Sequence, residues 1–266
     1  MRIFALILSL VSAPAVAHEF WIEPLSYQIA PDDTLEAKLV NGQEFSGVEI
    51  GFFPSRFANF ALFAGADAAR VQGRPGDTPA LNQAPFGEGL HIAVYQANNA
   101  TVDYETWEKF QTFVDHKDFG DVLSRHQARS LPEAEFDEVY ARYSKTLIGV
   151  GDSSGADRRV GLETEIVALN NPYTDDLPDG FSVQVFYRDD IRADTQVEVF
   201  RKAPDDSVTI ELYRTNAEGI ATFPVIPGYS YMVDAVVLKE PGETLSEQTG
   251  AVWQTLWANL TFAVPE

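Results

Sequence analysis

Few residues in this chain can do chemistry. It has four histidines (His18, His91, His116 and His126), no cysteine and two methionines. The absence of cysteine removes disulfides, thiolate metal sites, cysteine nucleophiles and lipid attachment through a lipoprotein cysteine. His18 is the most informative of the four. Met1-Arg2 makes a short positive start, Ile3 to Val11 is almost wholly apolar, and Ala15-Val16-Ala17 is the small-x-small pattern read by signal peptidase. Cleavage after Ala17 would make His18 the first residue of an exported chain. Its α-amine, with a pKa of about 7.7–8.0, and its ring nitrogen can then close a chelate on one divalent cation. The plainer reading of the same residue is the frayed start of a strand.

His91 sits in Leu90-His91-Ile92-Ala93-Val94-Tyr95, which reads as a strand with His91, Ala93 and Tyr95 on one face. If that strand pairs near the mature N-terminus, His18 and His91 form a three-nitrogen site completed by a carboxylate, Tyr95 or water. Amine and neutral imidazole suit nickel, cobalt, copper(II) or zinc. A hydrogen-bonded, half-buried histidine is the competing reading. Glu19 and Glu23 are candidates to tune such a site by hydrogen-bonding its ring nitrogens. His116, flanked by Asp115 and Asp118, is a reserve ligand, although a solvated or capping role suits both it and His126. After export only Met232 remains, which rules out a thioether-rich copper(I) site. No Gly-x-Ser-x-Gly elbow, Walker loop or His-Glu-x-x-His occurs, so no catalytic residue and no organic cofactor is assigned. Asp152 to Asp157 lacks the alternating acidic positions of a calcium loop and reads as a linker.

The elements that would carry these residues are mostly strands. The chain has 266 residues, 45% of them hydrophobic and 12% aromatic, enough for a sizeable core. Its length suggests two domains. There are 19 Lys and Arg against 40 Asp and Glu, a net charge of -21, which argues against nucleic acid as a partner. Removing residues 1–17 takes away only Arg2 among charged side chains, leaving 18 basic groups against 40 acidic ones and a charge of -22. No later apolar run approaches the roughly 20 residues of a membrane span.

Residues 18–103 read as an N-terminal β-sandwich, with strands over Leu35–Val40, Val48–Phe53, Phe60–Phe63 and Leu90–Gln96. A tight turn is expected at Asn41-Gly42, and a long loop over Ala64–Gly89. Residues 104–150 read as a helical insert, because Trp107, Phe110, Phe113 and Val114, then Phe136, Val139, Tyr140, Tyr143 and Leu147, recur at helical spacing. Residues 151–159 form a linker. Residues 160–266 read as a second sandwich of seven short strands: Glu163–Leu169, Phe181–Tyr187, Gln196–Arg201, Val208–Arg214, Ala221–Val225, Tyr229–Val237 and Trp257–Val264. In Gln196–Arg201, Val197 and Val199 fall on one face, with Gln196 and Glu198 on a polar one.

Four segments in order resemble one family: Ala17-His18-Glu19-Phe20-Trp21-Ile22, Asn41 to Gly47, Tyr140-Ala141-Arg142-Tyr143-Ser144-Lys145 and Trp257-Ala258-Asn259-Leu260-Thr261-Phe262. They are similar to the exported, nickel-uptake-transporter-like family with the domain of unknown function DUF4198. The resemblance implies a periplasmic protein associated with nickel or cobalt transport. Thr215 to Gly219 followed by Ala221, Phe223 and Gly228-Tyr229 resembles transthyretin-like and immunoglobulin-like bacterial modules, which implies a sandwich and no particular chemistry. The expectation is therefore a mainly β, exported chain of two antiparallel, immunoglobulin-like sandwiches. It would bind a divalent transition metal through His18 and His91 and assist uptake or delivery beside a membrane transporter, without being an enzyme. Two alternatives stand: a non-catalytic module that binds a transporter or surface protein, and a copper oxidase with an N-terminal histidine brace.

Overall fold

The middle of the fold is a ten-stranded sheet drawn from both halves of the chain. A computed structural model describes residues 19–266, so the expected signal segment and His18 lie outside the described residues. The sheet runs β15 (Val208–Arg214), β14 (Gln196–Lys202), β17 (Ser230–Lys239), β18 (Trp253–Ala263), β10 (Phe136–Val150), β8 (Gly89–Ala97), β5 (Phe57–Ala64), β6 (Asp67–Arg70). β2 (Gln28–Ile29) and β9 (Ala100–Tyr104) also pair with β10. β10 and β18 are parallel, from Glu138 opposite Trp253 to Thr146 opposite Thr261. Because β10 also pairs with β8 and β9, this sheet joins residues 19–103 to residues 160–266 without a break.

Smaller sheets cover both faces. β11 (Thr164–Ala168), β12 (Phe181–Tyr187), β13 (Asp190–Ile191) and β16 (Ile220–Phe223) pack on one face around Ile166, Phe181, Val183, Val233, Leu256 and Phe262. On the other face lie β1 (Glu19–Pro24), β3 (Leu35–Gln43), β4 (Ser46–Ile50) and β7 (Leu81–Gln83), packed through Phe20, Ile22, Leu39, Leu62, Tyr95 and Ile148. Beside them α1 (Trp107–His116) and α2 (Val122–Ala128) cover Val236, Trp253 and Trp257. A short α3 (Glu243–Thr249) precedes β18. Each large apolar side chain buried between layers contributes about 1.5–3 kcal/mol. The chain is thus mainly β, in stacked and largely antiparallel sheets, with few helices.

Three local expectations need correction. The helical spacing holds for α1 and α2, but Phe136 to Leu147 belongs to the long strand β10. Its burial is nearly continuous because both faces of the central sheet are covered, which hides the two-residue alternation that marks a strand. Asn41 and Gly42 lie within β3, and the turn falls at Glu44 and Phe45, both with positive φ (53° and 59°). Gly42 serves close approach instead: a Cβ there would sit 2.0 Å from the Ser46 carbonyl oxygen. Glu198 does lie opposite Val197 and Val199, as the alternation implies, but that face is covered by the end of α1 and the start of β1, which leaves it only 2% exposed. The expected loop over Ala64–Gly89 also contains the short strands β6 and β7.

Candidate functional site

β1 hydrogen-bonds to β3 along one edge, and its other edge faces the central sheet. The carbonyls on that edge find side-chain donors. Phe20 O accepts from Ser144 Oγ at 2.9 Å and from the Asn259 amide, and Ile22 O accepts from Thr261 Oγ1 at 2.7 Å. Buried backbone oxygens need such partners. Three of the segments behind the family resemblance therefore meet at one place: the start of β1, the Tyr140–Lys145 part of β10 and the Trp257–Phe262 part of β18.

The start of β1 carries Glu19 into a polar cluster at the end of α1. Thr106 caps the start of that helix by accepting from the Lys109 amide, and Phe110, Phe113 and Val114 bury its inner face. Gln196 Nε2 donates to the His116 carbonyl at 2.8 Å, tying the last turn to β14. Lys117 follows, with its Nζ 4.7 Å from the Trp257 ring centroid. That ammonium lies 2.8 Å from Glu198 Oε1 and 3.3 Å from Asp234 Oδ2. Glu198 and Asp234 face each other across β14 and β17, so two like charges would repel without it. His116 Nε2 approaches Glu198 Oε1 at 3.2 Å from a half-exposed position. The contacts to Glu198 lie outside good hydrogen-bond angles, and both its oxygens, like Glu19 Oε2, are buried without a hydrogen-bond partner.

The charges shift one another. Burial pushes the Glu19 carboxyl up, partly offset by Lys117. Burial lifts Asp234 to about 7 against the pull of Lys117. Burial also acts to raise Glu198, but His116 and Lys117 outweigh it and hold its carboxyl below the usual range. Glu198 in turn raises His116. Burial works against the Lys117 ammonium, yet Asp234 and Glu198 keep its pKa above the ordinary value. Three carboxyls thus surround one buried ammonium and one half-exposed imidazole, so acidic groups outnumber basic ones in the cluster.

Of the described residues singled out from sequence, Glu19 and His116 share this electrostatic cluster and the others do not. His91 is fully buried, with both ring nitrogens engaged. Its Nε2 accepts from the Phe86 amide at 3.0 Å, which leaves Nδ1 to donate to Gly89 O at 3.1 Å. Burial lowers its pKa, favouring this neutral form. Tyr95 stacks on Phe20 with ring centroids 4.8 Å apart, points its hydroxyl at Arg56 O, and is pushed up to about 12 by burial. Glu23 accepts from Trp21 Nε1 at 2.9 Å. His126 is buried between Trp253 Nε1, which donates to its Nδ1 at 2.9 Å, and the Pro132 carbonyl. Lys117, Glu198 and Asp234 were not singled out. The available signal was a lone carboxylate inside each of two strongly apolar runs, Val197 to Phe200 and Met232 to Val237.

Among the described residues no group of three or more His, Asp or Glu is arranged to hold a metal ion, and no helix is long and apolar enough to cross a membrane. No curated protein matches the chain. A solved structure, described as a crystal structure of a tetra-tandem repeat in the extending region of a large adhesion protein, is 9% identical with a TM-score of 0.21. That alignment covers 92% of this chain and 49% of the other, so the chain spans about half the length of that solved protein. The family comparison reaches further, matching residues 15–239 to the domain of unknown function DUF4198, and the chain belongs to that family.

Proposed function

We propose that this is an exported, periplasmic protein that carries a divalent transition-metal cation, nickel, cobalt or copper, for uptake or delivery beside a membrane transporter. The observation that carries the reading is the one electrostatic cluster shared by Glu19, His116 and Glu198, with His116 Nε2 3.2 Å from Glu198 Oε1. Glu19 follows His18 directly, and consecutive Cα atoms are about 3.8 Å apart. Signal cleavage after Ala17 would therefore deliver an α-amine and an imidazole beside a half-exposed His116 and a carboxylate oxygen that lacks a hydrogen-bond partner. The described residues alone provide one imidazole and carboxylates. The two nitrogens of His18 are what a transition-metal site would add. His91, with both nitrogens already bonded, is the weaker partner for His18, so we assign the second imidazole to His116.

Isothermal titration calorimetry tests this with nickel, cobalt, copper(II) and zinc, on a chain beginning at His18 and on one with a single extra residue before it. Stoichiometric binding by the first and much weaker binding by the second is expected. Equal binding by both removes the amine from the site. A second reading, a non-catalytic interaction module, draws on the sheet edge β15, where Ile210 and Leu212 are exposed at 41% and 59%. Absence of binding by either form favours it.

A further inference from the structure

A second cluster, outside the candidate metal site, has the composition of a reaction centre. Lys145 on β10, Asp157 in the segment after β10 and Glu165 on β11 meet between the central sheet and its neighbour, with side chains no more than 1% exposed. Lys145 Nζ lies 2.8 Å from Asp157 Oδ1, 3.0 Å from Asp157 Oδ2 and 3.1 Å from Glu165 Oε1. Contact with both oxygens puts the nitrogen about 3 Å from the Asp157 carboxyl carbon, the spacing of a near-attack pair. Each Asp157 oxygen also accepts a backbone N–H, from Arg158 at 2.7 Å and from Ala168 at 2.8 Å. Those donors are placed to stabilise an oxyanion. Glu165 is held in turn by the amides of Val160 at 2.8 Å and Leu162 at 3.3 Å.

We infer that Lys145 and Asp157 join spontaneously in an intramolecular amide bond, with Glu165 as the proton carrier. A dry ammonium and two carboxylates are costly to keep ionised. Moving one proton from Nζ to the Asp157 carboxyl converts that pair into a neutral amine and a neutral acid. The amine lone pair then attacks the Asp157 carbonyl carbon and forms the C–N bond. Glu165 takes a proton from the nitrogen and returns it to the departing hydroxyl, so the C–O bond breaks and one water leaves. Glu165 ends as it began, and neither oxidant nor activating group is consumed. Proximity in a rigid, water-excluded site supplies the rate that free lysine and aspartate lack. The product fastens the segment after β10 to the central sheet by a covalent bond, replacing two buried charges with a neutral amide.

Mass spectrometry of the purified, folded full chain tests this. The expected intact mass, measured after denaturation, is one water below that of the sequence. Trypsin ordinarily cuts after Arg142, Lys145 and Arg158. The linked chain instead yields residues 143–158 as one uncut, cyclised peptide lighter by one water. Fragmentation within 145–157 then releases no separate pieces. Glu165→Gln, which keeps the amine and the acid, is expected to show the full mass and normal cutting at Lys145. An unmodified mass in the wild-type chain overturns the inference and leaves a buried ion pair. A water loss that maps to Asp179-Gly180, where an aspartimide can form, also overturns it. Linkage in Glu165→Gln as complete and as fast as in wild type removes the role of Glu165 and refutes the stated mechanism.

Discussion

Replacing Glu138 by Gln should remove a defined part of the pH dependence of stability. Glu138 on β10 is fully buried among the aromatic side chains beneath α1. Its donors are neutral hydroxyls: Tyr104 at 3.1 Å, and Thr255, whose Oγ1 accepts from Trp257 Nε1 at 3.0 Å. Burial lifts its carboxyl from 4.5 to about 7, with the two hydroxyls only partly opposing the rise. At roughly 1.4 kcal/mol per pH unit over that interval, ionising it in the folded state costs about 3 kcal/mol. The sign follows from proton binding. Below about pH 4.5 both folded and unfolded chains hold the proton and the full stability is present. As pH rises, the unfolded chain releases its proton first, so stability falls until the folded carboxyl ionises near 7 and then levels off. The side-chain amide of the variant would carry no such proton. Urea denaturation of both proteins at pH 4.5, 6 and 8 therefore reads a difference that shifts in favour of Glu138→Gln by about 3 kcal/mol across the series. Asp234 titrates in the same window but is present in both proteins and cancels from the difference. A difference that stays constant with pH would refute the reasoning.

Two further substitutions probe the frame of the candidate site. Lys117→Met leaves Glu198 and Asp234 facing each other without their cation, and chemical denaturation at pH 8 should show a loss of about 3–5 kcal/mol. At pH 5, where the stranded carboxyls take up protons, the penalty should shrink; a cost below about 1 kcal/mol at pH 8 contradicts the charge assignment. Gly42→Ala drives a methyl into the Ser46 carbonyl across the β3–β4 hairpin and should cost about 1–3 kcal/mol, read as a lower Tm. An unchanged Tm would show that the hairpin relaxes freely.

The strands of residues 160–266 were readable because turn residues punctuate them. Phe181–Tyr187, for instance, begins just after Gly180 and ends just before Arg188, both with positive φ. β10 was not readable as a strand, since it is covered on both faces and its aromatic spacing fits a helical template as well. His91 and Glu19 could be selected by residue type, but not their fates. The His91 partners are backbone groups of Phe86 and Gly89, to which side-chain patterning is blind. Glu198 looked like an ordinary polar-face residue, because the Lys117 that buries with it comes from a distant helix end. Long-range ion pairs of this kind leave only a faint trace, a single charge in an apolar strand.

The most direct test of the central claim compares metal affinity in His116→Ala and His91→Gln, each in a chain beginning at His18. The proposed site predicts that nickel or copper(II) binding weakens by about tenfold or more in His116→Ala and is unchanged in His91→Gln. Loss of binding in His91→Gln with full affinity retained in His116→Ala would contradict it.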